Sequence, residues 1–141
     1  MNAKNIRLTT TAGGSDETAC GFIATVTVDV NAYGIGAALH LDSDGNYVQA
    51  DADAATEARC DALALEAGTG SKKVLLLGFF VDASYSWTPG TVLYLSDDPT
   101  TLGGLTATAP SGAGDIIQPV AKAYSATVIL FQPALTLVEH T

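Results

Sequence analysis

Positive charge is scarce in this chain. Six lysines and arginines stand against fifteen aspartates and glutamates, a formal charge of −9 at pH 7. Such a chain repels a phosphate backbone rather than neutralising it, which argues against nucleic acid as a partner. Cysteine is as sparse: Cys20 and Cys60 lie far apart with no His or Cys beside them at metal-ligand spacing. They read as two buried thiols, with a single disulfide as the alternative, and they define no redox compartment. Long apolar runs are lacking too. The longest, residues 74–81, contains Gly78 and is far too short to span a bilayer. Residues 1–11 have no apolar stretch of the kind a secretory signal needs. The expectation is a soluble protein made in a cytoplasm, with no membrane partner.

What is present is apolar and strand-like. With 141 residues the chain suits one domain, large enough to bury a core without disulfide or metal staples. Apolar residues make up 48% and charged residues only 15%, which leaves little charge to cover the surface. Part of that surface is therefore expected to lie against partners, and an oligomer is expected over a monomer.

Two parts are expected: an extended N-terminal arm over residues 1–19 and a single β domain over residues 20–141. The arm is polar and Thr-rich, with Ile6 and Leu8 as its sizeable apolar side chains and Lys4 and Arg7 as its basic ones. Its residues Lys4, Asn5, Ile6, Arg7 and Leu8 are the candidate contact with a neighbouring molecule, and the composition suits a plain disordered tail equally.

From Phe22 to Val30 apolar and polar residues alternate, the period of a half-buried strand. Residues 37–41 and 47–50 flank Asp42-Ser43-Asp44-Gly45-Asn46, and an Asp-Gly turn between alternating runs predicts a β-hairpin. The Ala-rich stretch 50–59 predicts one short helix of a turn or two. Strands are expected at 61–67 and 72–82, then at about 91–96, 104–109, 115–124 and 127–131. Residues 74–81 are apolar on both faces, as in a central strand or one that meets a partner; Leu75, Leu77 and Phe79 form the candidate oligomer interface. Runs of this length, punctuated by Pro and Gly, give the expected fold class: all-β, a small antiparallel β-barrel or β-sandwich with one short helix.

Chemistry is not expected. The segment beginning at Asp42 evokes a calcium loop, but Tyr47 stands where the loop needs Gly and Asp53 where it needs Glu. Gly68-Thr69-Gly70-Ser71-Lys72-Lys73 opens onto a strand, not onto the helix of a phosphate-binding loop. Ser111 has no Gly-x-Ser-x-Gly around it, and neither His40 nor His140 belongs to a nucleophile motif. No catalytic residue, metal or cofactor is assigned. Tyr85 and Trp87 form either an aromatic platform for a sugar or a packed strand end, and packing is favoured because a Trp ring usually buries its area.

Several ordered motifs resemble the head decoration, or capsid cement, proteins of tailed bacteriophages. They are Ala50-Asp51-Ala52-Asp53-Ala54-Ala55, Cys60-Asp61-Ala62-Leu63-Ala64-Leu65-Glu66, Gly78-Phe79-Phe80-Val81 and Pro89-Gly90-Thr91-Val92-Leu93-Tyr94-Leu95-Ser96. Gly103-Gly104-Leu105-Thr106, Pro110-Ser111-Gly112, Ile116-Ile117-Gln118-Pro119-Val120-Ala121-Lys122-Ala123 and Ile129-Leu130-Phe131-Gln132-Pro133 follow. The resemblance covers about 80 residues and rests on their order and spacing. It implies a structural virion protein that forms a homotrimer on the outer capsid surface. Such a trimer bridges neighbouring major capsid proteins after the head expands and has no enzymatic role. Two other classes compete: a receptor- or glycan-binding module of a phage fibre or adhesin, using Tyr85 and Trp87, and a small hydrolase built on His40.

Overall fold

The computed structural model describes residues 18–29, 34–54, 56–100 and 103–141. The arm contacts expected at Lys4, Asn5, Ile6, Arg7 and Leu8 lie outside the described residues. Within them the fold is all-β. The strands are β1 (Thr18–Val28), β2 (Ala38–Leu41), β3 (Tyr47–Gln49), β4 (Ala62–Ala64), β5 (Gly70–Val81) and β6 (Val92–Leu95). β7 (Leu105–Thr106), β8 (Ile116–Ile117), β9 (Pro119–Ala123), β10 (Val128–Phe131) and β11 (Val138–Glu139) complete the order. Thr18 and Ala19, assigned to the arm by composition, already pair with Val81 and Phe80 as the start of β1.

β5 is the organising strand. β1 runs antiparallel along its whole length, while its other edge takes β4 beside residues 74–75 and β10 beside residues 78–81. From β10 the sheet continues through β9, β6 and β7. In the other direction β4 pairs with β2, β2 with β3, and β3 with the end of β1 at Val28↔Tyr47. The ladder that starts at β1 thus returns to it. Val28, Leu39, Tyr47, Ala62, Ala64 and Val74, all from these five strands, pack as a smaller core. A larger core, with Leu63, Leu75, Phe80, Leu93, Phe131 and Ile129 fully buried, joins the circuit to β10, β9, β6 and β7.

One bulge lets a single strand serve both cores. Phe22 pairs with Leu77 and Ile23 with Leu75, so Leu76 is the extra residue on β5. Side chains alternate across a strand, and an inserted residue reverses the phase beyond it. Leu75 and Phe80, five apart, can therefore both enter the larger core, while Val74 and Leu76 pack with the smaller one. This corrects the expected interface. Leu75 is fully buried within its own subunit, whereas Leu77 and Phe79 lie half-buried on the opposite face.

The helix expected at 50–59 is not found among the described residues. Instead the backbone there makes isolated turns, Ala54 N–H to Asp51 O at 3.3 Å and Glu57 N–H to Ala54 O at 2.7 Å, and the Asp51 carboxylate accepts from the Asp53 N–H. Asp51 N–H donates forward to Glu57 O, and Ala52 O, the acceptor a helix would offer to residue 56, takes Ile116 N–H at 2.9 Å instead. Ala50 and Ala52 are fully buried in the larger core. The small alanine side chains serve close packing there, not helix propensity.

The 37–41 and 47–50 hairpin forms as expected, with His40 opposite Val48 and Leu41 opposite Tyr47. One oxygen of Asp42 accepts from the N–H groups of Asp44 and Asn46, at 2.9 and 2.8 Å. That carboxylate builds the turn, the common role of Asp at such positions.

Candidate functional site

The strand register sorts side chains into two faces of the β1–β5–β10–β9–β6 sheet. Gly21, Gly78, Phe131, Ala121 and Leu93 form one row across it, and of these Phe131 and Leu93 are fully buried in the larger core. The next row, Cys20, Phe79, Leu130, Lys122 and Val92, points the other way. Phe22 and Leu77 lie beside it as a further pair. Tyr124 meets Phe79 edge to face, with ring centroids 5.4 Å apart.

This outer face is apolar and, among the described residues, only partly covered. Phe22 is 46% exposed, Val92 41% and Tyr124 59%. In these rows Lys122 is the one charged side chain. An exposed apolar surface of this kind on a folded chain marks an interaction surface, because isolated apolar residues are ordinary but contiguous ones are not. Leu77 continues it into a groove of about 300 Å³, lined also by Leu76, Pro133, Leu135, Arg59 and Asp61.

A second concavity, of about 460 Å³, is lined by His40, Asp42, Ser43, Val48, Thr56 and Glu57. Here the hydrolase reading meets its test. His40 Nδ1 stands 3.4 Å from the Asp61 carboxylate, too far for a good hydrogen bond. Asp61 is occupied structurally: one oxygen accepts from Leu41 N–H at 2.9 Å and the other from Arg59 Nε at 2.8 Å. Among the described residues no hydroxyl hydrogen-bonds to His40. A nucleophile needs such a link to its base; what Asp61 does here is tie the approach to β4 to β2 through the Leu41 N–H.

The aromatic platform is not available to a sugar in this form. Tyr85 is buried in the larger core, its ring 6.1 Å from Phe80 and 5.6 Å from Trp87, which packs half-buried against the same core. Burial pushes the Tyr85 phenol well above its ordinary range, with the Asp82 charge adding to the effect. No disulfide joins the cysteines: Cys60 is buried in the larger core and Cys20 lies on the outer face. Burial raises the Cys60 thiol to about 12, which leaves it inert as a nucleophile at neutral pH.

The last strand has no counterpart among those expected from the sequence. β11 pairs with β8 through Val138↔Ile117 and Glu139↔Ile116. It carries a ledge on which Leu135 is 94% exposed, with Leu137 and Val138 beside it. No family model, curated protein or solved structure matches this chain, so the role of these surfaces rests on their own chemistry.

Proposed function

We propose that this chain is a structural virion protein, a homotrimeric decoration or cement protein on the outer capsid surface of a tailed bacteriophage. In this reading it binds the major capsid protein of the expanded head and bridges neighbouring copies, and the closed β1–β3–β2–β4–β5 circuit is a small β-barrel that serves as the rigid body of the staple. The observation that carries the reading is the only partly covered apolar sheet face around Phe22, Leu77 and Phe79, together with the order of motifs from Ala50 to Pro133. A protein that meets only the expanded lattice stabilises that state by its difference in affinity for the two forms. Several contacts from one rigid trimer multiply that difference through avidity. The acidic character of the chain suits a position away from packaged DNA.

The glycan-binding alternative loses support from the burial of Tyr85. The test is electron microscopy of expanded heads lacking decoration, incubated with the purified protein. Added density at three-fold and quasi-three-fold positions is the expected result, and bare heads at saturating protein overturn the reading. Deleting residues 1–12 is expected to leave an assembled, soluble protein that no longer decorates heads.

A further inference from the structure

Among the described residues, eight large apolar side chains are exposed, and six of them fall on two patches of opposite charge that adjoin at the groove lined by Leu77 and Leu135. Phe22, Val92 and Tyr124 belong to the outer sheet face, whose charge is the exposed Lys122 between Leu130 and Val92. Leu135, Leu137 and Val138 belong to the ledge, whose charge is the exposed Glu139. The ledge is held rigidly. Ala134 N–H donates to Pro119 O at 2.9 Å, Gln118 Nε2 donates to Ala134 O at 2.8 Å, and His140 N–H donates to Asp115 O at 2.8 Å. A surface ordered before contact loses little freedom on binding.

We infer that the ledge of one copy, residues 135–139, packs on the outer sheet face of the next, with Glu139 set against Lys122. The inference rests on the self-assembly in the proposed function and names the surfaces that perform it. Copies of a chain carrying −9 repel one another, so contact favours a face without carboxylates, and in its register rows the outer sheet face has none. That face calls for an apolar partner bearing one negative charge, and the ledge has that composition. Two outer faces packed together would leave each Lys122 on an apolar row or against its own equivalent, an unpaired buried charge in either case. Face against ledge is a heterologous contact, in which each copy offers both surfaces. Repetition by a closing rotation gives a ring, the symmetry a trimer requires.

The experiment is sedimentation velocity over a micromolar concentration series on the full chain, comparing wild type, Lys122→Glu, Glu139→Lys and the double reversal. Both side chains are exposed, and thermal unfolding of each variant verifies that the fold is kept. Each single reversal is expected to weaken self-association by about tenfold or more, because like charges then face each other across the contact. The double reversal is expected to recover wild-type association to within about threefold. Wild-type assembly in both single variants, or a double variant as weak as the singles, overturns the face-to-ledge contact and leaves the decoration reading standing. A wild-type chain that stays monomeric and leaves heads bare overturns both.

Discussion

The side-chain amide of Gln118 holds both backbone groups of Cys60, 58 residues earlier in the chain. Its Oε1 accepts from Cys60 N–H at 2.7 Å and its Nε2 donates to Cys60 O at 3.0 Å. The same nitrogen donates to Ala134 O, which ties the approach to β4 to the segment leading into β11. Gln118 and Cys60 are each 1% exposed, so the amide and the Cys60 backbone have no water to fall back on. One buried amide here stands in for a missing length of strand pairing.

Gln118→Ala is therefore expected to cost about 2–4 kcal/mol, because it strands buried donors and acceptors as well as removing their bonds. Gln118→Glu is expected to be comparably harmful, since a carboxylate can accept from Cys60 N–H but cannot donate to the two carbonyls. Urea unfolding of the three proteins checks this, and a loss under about 0.5 kcal/mol for Gln118→Ala would show that the clamp carries no stability.

Gly21 and Gly78 face each other across the β1–β5 pair, both at a φ of 145°. A Cβ on Gly21 would lie 2.2 Å from Leu77 O, and one on Gly78 would lie 2.2 Å from Cys20 O. Either alanine must push the two longest strands apart and adopt a backbone conformation that L-residues avoid, a cost of about 1–3 kcal/mol from the strain alone. Because both substitutions force open the same close approach, the double variant is expected to lose clearly less than the sum of the singles. Additive losses in a thermal-unfolding cycle would refute the shared contact.

Much of this fold was legible in the sequence because period-two runs and turn residues act locally. The 37–50 hairpin, the apolar central strand and most later strands lie close to where alternation and Gly or Pro place them. The misses have long-range causes. Ala50 and Ala52 look helical by propensity, yet the larger core and the Ile116 N–H decide their conformation. Leu75 looks like part of one face with Leu77 and Phe79, yet the Leu76 bulge, visible only in the pairing with β1, reverses the phase. β8 and β11 are two-residue strands whose pairing joins residues distant in the chain, beyond the reach of any local pattern.

Asp51 supplies a pH dependence with a definite sign. Burial, and then its contact with Asp53, raises its carboxyl from an ordinary 3.8 to about 6. A raised carboxyl contributes stability that is fully present below the unfolded value and is lost as pH rises through the folded one. Wild type is thus expected to lose stability between about pH 4 and pH 6.5 through this group. Asp51→Asn keeps a side-chain oxygen for Asp53 N–H and removes the titration, so its thermal stability relative to wild type should rise across that window. Parallel stability curves for the two proteins from pH 4 to 8 would eliminate Asp51 as the source.

Leu75 and Leu77 separate the core from the proposed contact surface within one strand. Leu75→Ala empties a fully buried position in the larger core and is expected to cost about 2–5 kcal/mol, as large-to-small changes in a packed interior do. Leu77→Ser removes a half-buried side chain from the outer face, and its cost to the folded subunit is expected to be well below that of Leu75→Ala. Its effect should appear in assembly instead. Apolar area lost from a contact weakens association in proportion to how well it was buried there. Sedimentation and denaturant unfolding on the two variants read these effects separately. If Leu77→Ser assembles as wild type does while Leu75→Ala loses only stability, the outer face around Leu77 is not where copies meet.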